Sequence, residues 1–203
     1  LIRAEHNRTW LNPRGGEWHN VVQIGEQWIF SSDLYQPLDL RQRFFVQPIA
    51  QFERSNEDIY LDGDRVAKYA LSELFGQLDT GLNIGTRAQV RAGVRLGWYE
   101  AEGDTGPPLL PETDRVGDSS VQLRFVYDTR DAVGLPTRGT FINARLVSSG
   151  DWLGGEEDYG LAEGVLTKSF PFRGDALSLI LGGGKELSGD LAVTLEFQLG
   201  GIR

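Results

Sequence analysis

Residues 87–100, RAQVRAGVRLGWYE, alternate strictly. Ala88, Val90, Ala92, Val94, Leu96 and Trp98 take the even positions, and Arg87, Gln89, Arg91, Gly93, Arg95 and Gly97 the odd ones. A period of two predicts a β-strand with one apolar and one polar face. The period recurs. NVVQIGEQWIFSS (20–32) gathers Val22, Ile24, Trp28 and Phe30 on one face, interrupted by Glu26. RFFVQPIAQFERS (43–55) gathers Phe44, Val46, Ala50 and Phe52, although Pro48 cannot donate to a ladder. In residues 67–85, Ala70, Leu74, Gly76, Leu78, Leu82 and Ile84 share a face, while the first few residues also suit a helix. DSSVQLRFVYDTRD (118–131) sets Val121, Leu123, Phe125 and Tyr127 opposite Gln122, Arg124 and Asp128. RGTFINARLVSS (138–149) sets Ile142, Ala144 and Leu146 opposite Asn143 and Arg145. With 1–10, 158–172 and 175–186, about nine strands are predicted and no convincing amphipathic helix.

Two architectures accommodate these strands. In a soluble sandwich the apolar faces form the core. In a transmembrane barrel they meet lipid, and the polar faces line a lumen. The strand lengths match the roughly 9–11 residues that cross a bilayer at a tilt. Strand plus connection repeats about every 20 residues, looser than the ~8–12-residue turn spacing of small sandwiches. Short or medium connections (36–43, 85–88, 128–139, 172–175) alternate with longer or more acidic ones (56–66, 100–118, 148–158), as barrels do. Trp98, Tyr99, Tyr127, Trp152, Tyr159, Phe170 and Phe172 near strand ends suit interfacial girdles.

The expected fold is therefore all-β: an antiparallel transmembrane barrel, incomplete here, as a single domain over 1–203. The lipid-facing set is Ala88, Val90, Ala92, Val94, Leu96, Trp98, Val121, Leu123, Phe125, Ile142, Ala144 and Leu146. The lumen-facing set is Arg87, Gln89, Arg91, Arg95, Gln122, Arg124, Asn143 and Arg145, set among Glu73, Gln77, Asp79 and Asp128. Antiparallel neighbours bring such unlike charges opposite each other. The alternative, a sandwich binding a carbohydrate or protein, would bury Trp28, Val94 and Trp98. Exposure of Val90, Val94 and Leu96 separates the two.

Composition narrows the chemistry. A net charge of −9 without a basic cluster argues against nucleic acid. The absence of cysteine excludes disulfides and thiolate metal sites. No run approaches the roughly 18 apolar residues of a membrane helix. The chain contains no methionine and begins at Leu1, so it is read as a piece of a longer protein. GGGKE (182–186) lacks the Ser or Thr and the spacing of a phosphate loop, and GLNIGTRA lacks a third glycine. Asp62, Asp64 and Glu156–Asp158 read as solvated loops rather than a Ca²⁺ site. His6 and His19 have no partner motif, and no serine has a plausible base. Neither a metal, nor a cofactor, nor a catalytic residue is expected in this chain, which is not read as an enzyme.

YDTRDAVGLPTRGTFINARL (127–146) resembles the Tyr/Phe-Asp-x-Arg-Asp…Pro-Thr-Arg-Gly turn of the bacterial surface-antigen barrels, which include barrel-assembly factors and two-partner secretion transporters. The matching residues are Asp128, Arg130, Asp131, Pro136, Arg138 and Gly139. The resemblance implies a periplasmic turn between the eighth and ninth of sixteen strands. The chain would then hold strands three to eleven, and its tail from Ser188 would open the sixth extracellular loop. Residues 5–18, 33–48 and 126–139 resemble the C-terminal barrel of patatin-like outer-membrane phospholipases. That likeness implies a barrel that secretes or displays an upstream lipase domain. The patatin Gly-x-Ser-x-Gly is absent, and Asp62-Gly63 reads as a hairpin turn. A barrel of an assembly or two-partner secretion factor is the alternative. The implied location is the bacterial outer membrane. The implied partners are outer-membrane lipids, a fused N-terminal passenger domain, the barrel-insertion machinery and, as a further option, a second copy of the chain.

Overall fold

The computed structural model describes residues 1–61, 64–105 and 113–189. They form one antiparallel sheet in which ten strands pair strictly in chain order. The strands are β1 (Ile2–Arg8), β2 (Glu17–Ile24), β3 (Trp28–Pro37), β4 (Phe44–Leu61), β5 (Asp64–Ile84), β6 (Ala88–Thr105), β7 (Thr113–Asp128), β8 (Gly139–Ser149), β9 (Tyr159–Phe172) and β10 (Asp175–Gly189). A single 3-10 turn, Asp151–Leu153, interrupts the connection after β8. Among the described residues there is no α-helix, and no helix is long and apolar enough to cross a membrane.

Four expectations change. The segment 20–32 is two strands, because Gly25-Glu26-Gln27 reverses the chain between β2 and β3. The count is therefore ten rather than about nine. Residues 67–84 are strand throughout, with no helical start. The acidic stretch 56–66 is largely ladder, with Ile59 opposite Ala67 and Leu61 opposite Asp64. The Asp62-Gly63 turn itself, residues 106–112 and the tail from 190 lie outside the described residues. Pro48 sits inside β4. The β3–β4 register pairs Asp33 with Ile49 and Gln36 with Val46 but skips Pro48, which has no N–H to give on that side.

The sheet curls toward its polar face. Next-but-one strands lie about 9.5 Å apart in a flat sheet, yet their side chains touch on this face. Asn83 of β5 donates to the Tyr35 hydroxyl of β3 at 2.8 Å. Arg91 of β6 donates to Gln47 of β4 at 3.1 Å, and Tyr159 of β9 to Asp118 of β7 at 3.1 Å. Glycines in the intervening strands make room. A Cβ at Gly81 would strike the Phe45 ring, and one at Gly93 would collide with Asp79 Oδ1.

The described connections fall on two rims. Residues 9–16, 38–43, 85–87, 129–138 and 173–174 share one rim, and 25–27 and 150–158 share the other.

Candidate functional site

Register places the two sequence-predicted sets on opposite faces. Val90, Ala92 and Val94 of β6 lie opposite Phe125, Leu123 and Val121 of β7. Leu123 and Phe125 in turn face Leu146 and Ala144 of β8, and Tyr127 faces Ile142. Ala88, Leu96 and Trp98 continue the same row positions along β6. No second layer covers this apolar face among the described residues. Val94 is 41% and Leu96 53% exposed, and Val90 is half-buried. The sandwich expectation is thereby corrected: Val94 and Trp28 are surface residues, and Trp98 is only half-buried.

The other face is polar and densely bonded. In one row Arg91, Arg124 and Arg145 stand side by side across β6, β7 and β8, with Glu163 of β9 opposite Arg145. Arg91 pairs with buried Asp79 at 3.1 Å and donates to Gln89 at 2.7 Å. Arg124 donates to Asn143 at 2.8 Å. Arg145 meets Glu163 at 2.8 Å. Two rows further along, Arg95 bonds Glu73 and reaches Asp118 at 3.4 Å. Gln122 closes over Gly93 to reach Asp79 at 3.4 Å. The arginines also lie over inward aromatic rings, Arg95 on Phe75 at 3.9 Å and Arg91 on Phe45 at 5.2 Å. Inside a curled sheet each of these groups has an opposite charge, an amide or a ring within reach, which offsets the cost of burying it. Arg87 departs from this lattice. It ends the 85–87 turn, exposed at the rim.

Two aromatic residues assigned to a girdle belong to this inner face. Tyr99 and Tyr159 are buried with Val147 and Leu161 in one cluster. The Tyr99 hydroxyl donates to Glu157 at 2.6 Å, and that of Tyr159 to Asp118. The 150–158 connection therefore folds inward over β6–β9. Glu156 and Asp158 accept backbone N–H groups of Gly117 and Asp151. Among the described residues no three potential metal ligands come together. His6 and His19 point to opposite faces. His6 packs edge-on against Trp18, and His19 pairs with Asp33 at 3.0 Å. GGGKE is continuous strand within β10.

The 129–138 turn is built by its carboxylates. Asp128 accepts from the Arg130 backbone N–H at 2.9 Å and from its guanidinium at 3.0 and 2.7 Å. Asp131 accepts the N–H groups of Thr137 and Arg138 at 2.9 and 3.3 Å, and the Thr137 hydroxyl. The Thr137 hydroxyl bond, followed by the backbone N–H bonds, holds the Asp131 carboxyl below its ordinary pKa. The Arg130 guanidinium lies 4.2 Å from the Phe141 ring centre. Gly139 has φ +116°, and a Cβ there would collide with the Thr129 carbonyl, so only glycine fits. Pro136 is half-buried and Arg138 exposed.

This chain matches the family described as the Omp85 superfamily domain over residues 21–203. No curated protein matches it.

Proposed function

This chain belongs to the Omp85 superfamily, a family of outer-membrane β-barrels that act with assembly or secretion partners, and on that premise we propose that it forms part of the translocator or anchor barrel of a patatin-like phospholipase. The apolar set from Ala88 to Leu146 faces lipid, and the set from Gln89 to Arg145 lines the lumen, with Arg87 at its rim. The 129–138 turn lies on the periplasmic rim. The chain does no chemistry itself. Its strands satisfy the backbone through the ladder, present apolar groups outward and hold a hydrated charge lattice inside.

One observation carries this reading: the apolar face is continuous across neighbouring strands and uncovered, while the polar face is bonded across next-but-one strands. A soluble sheet would have the covering reversed. The patatin parent draws on the likeness of residues 5–18, 33–48 and 126–139. The alternative, a barrel of an assembly or two-partner secretion factor, shares the geometry and differs in what the barrel carries.

The test uses the intact protein, fractionated with membranes and run on a gel with and without boiling. Recovery in the outer membrane with a heat-dependent shift supports the barrel. Recovery in the soluble fraction with no shift overturns it. Phospholipase activity of the same preparation separates the lipase-bearing parent from the secretion-factor alternative.

A further inference from the structure

The two rims differ in charge. Each of the five connections on the rim of the 129–138 turn carries one more basic than acidic residue, and the described connections on the other rim, 25–27 and 150–158, each carry an acidic excess. The carboxylates of the basic rim are already engaged. Asp39 accepts the N–H groups of Arg43 and Phe44 at 2.8 and 3.0 Å and pairs with the Arg43 side chain. Asp128 and Asp131 are committed to Arg130 and Thr137. By contrast, the exposed guanidinium groups of Arg14, Arg41, Arg87 and Arg138 have no partner among the described residues.

Two of these arginines converge. A cavity of about 450 Å³ opens at this rim, lined by Arg41, Gln42, Asn83, Thr86, Arg87 and Asp128 among others. Its walls come from three separate segments that are tied together. Asn83 donates its backbone N–H to the Arg43 carbonyl and its side-chain amide to the Gln42 carbonyl, each at 2.7 Å. The Asp128 N–H donates to the Arg87 carbonyl at 2.7 Å. Gln42 takes a left-handed backbone, φ +53°, to complete its turn. The one carboxylate in the lining, Asp128, is already bound by Arg130.

We propose that this cavity binds a phosphate-bearing anion, with Arg41 and Arg87 as its charged arms and Thr86 as a hydrogen-bond donor. Guanidinium forks match phosphate oxygens in pairs, and both forks here are uncommitted. The phosphate is that of a phospholipid headgroup or of a free anion, and a titration separates the two sources. The lipid source rests on the outer-membrane reading; the oxyanion site does not.

The test titrates the intact protein in nonionic detergent with dihexanoyl-phosphatidylglycerol, dihexanoyl-phosphatidylcholine and inorganic phosphate, with binding read by thermophoresis. In the R41Q/R87Q variant, phosphatidylglycerol affinity falls at least tenfold. In R115Q, where the lost charge is in β7 toward the other rim, it stays within twofold. Tighter binding of phosphatidylglycerol than of phosphate assigns the site to lipid. Equal, variant-dependent binding of phosphate alone still supports the oxyanion site and assigns it to a free anion. No saturable binding of either probe, or an equal loss in R115Q, overturns the site. Both arginines are exposed and unpartnered, so the heat-dependent gel shift checks that the variant folds. Failure of the membrane reading would show in fractionation and leave the phosphate arm intact.

Discussion

Gly76 and Gly93 sit in neighbouring strands, β5 and β6, on opposite faces of the sheet. A Cβ at Gly76 would meet nothing within 4 Å, whereas one at Gly93 would collide with the Asp79 carboxylate. The difference describes the two faces. Outward, nothing from the chain presses on the side chains, so volume is free and charge is not. Inward, side chains from three strands close on one another, so charge is accommodated and volume is not. The same backbone thus serves two media, and substitutions sort by which medium they enter.

Gly93→Val gives the largest effect. It pushes Asp79 off Arg91 and Gln122, and breaking a buried ion pair costs about 3–5 kcal/mol. Gly76→Val adds methyl groups to the outward face and stays within about 0.5 kcal/mol. Urea unfolding midpoints of the intact protein in lipid vesicles measure both. Equal effects would erase the distinction between the faces. The charge version inverts the order. Val94→Arg costs about 2–4 kcal/mol in a bilayer, whereas Gln122→Lys, set 3.4 Å from Asp79, changes stability by less than about 1 kcal/mol. If Val94→Arg is neutral in vesicles, the apolar face meets water.

The rim tests the comparison where neither medium dominates. Gly139→Ala forces a side chain into φ +116° against the Thr129 carbonyl. Such strain costs on the order of 1–3 kcal/mol. The expected readout is proteolytic nicking between Ala132 and Leu135 at protease levels that spare the wild type. Unchanged resistance would mean that the turn has an alternative backbone path.

The faces were legible in the residues because a period of two survives any register. That same property hid the β2–β3 turn. Ile24 and Trp28 flank Gly25-Glu26-Gln27 with the same parity, so the alternation runs through a reversal without a break. Glu26 was the one mark of it. The strand character of 56–66 was masked by its acidic, turn-like composition. Tyr99 and Tyr159 look like girdle residues because their position near strand ends is visible, while the hydroxyl partners, Glu157 and Asp118, are not. The oxyanion cavity was invisible for a different reason. Arg41, Arg87 and Asp128 belong to segments far apart in the chain, and only the ladder order β4-β5-β6-β7 brings them to one rim.

The smallest expected effect is a pH dependence confined to that rim. Asp131 is held below its ordinary value of 3.8 by the Thr137 hydroxyl first, then by the backbone N–H groups of Arg138 and Thr137. A carboxyl depressed in the folded state contributes stability that is fully present above its unfolded value. That contribution is lost only as pH falls through the lower, folded value. The 129–138 turn therefore keeps its bonds at neutral pH and at pH 5, and loosens below about pH 4. Hydrogen exchange at the Thr137 and Arg138 amides, which Asp131 accepts, corrected for the intrinsic pH dependence of exchange, follows the loosening. Asp131→Asn keeps an acceptor for the Thr137 N–H but has no charge to lose, so its exchange is faster at neutral pH and flat into acid. A transition near pH 6, or an acid transition that survives in the Asn variant, would assign the change to another group. Because Asp131 stands in water, the effect stays local, and the inner lattice around Asp79 and Arg91 does not move with it.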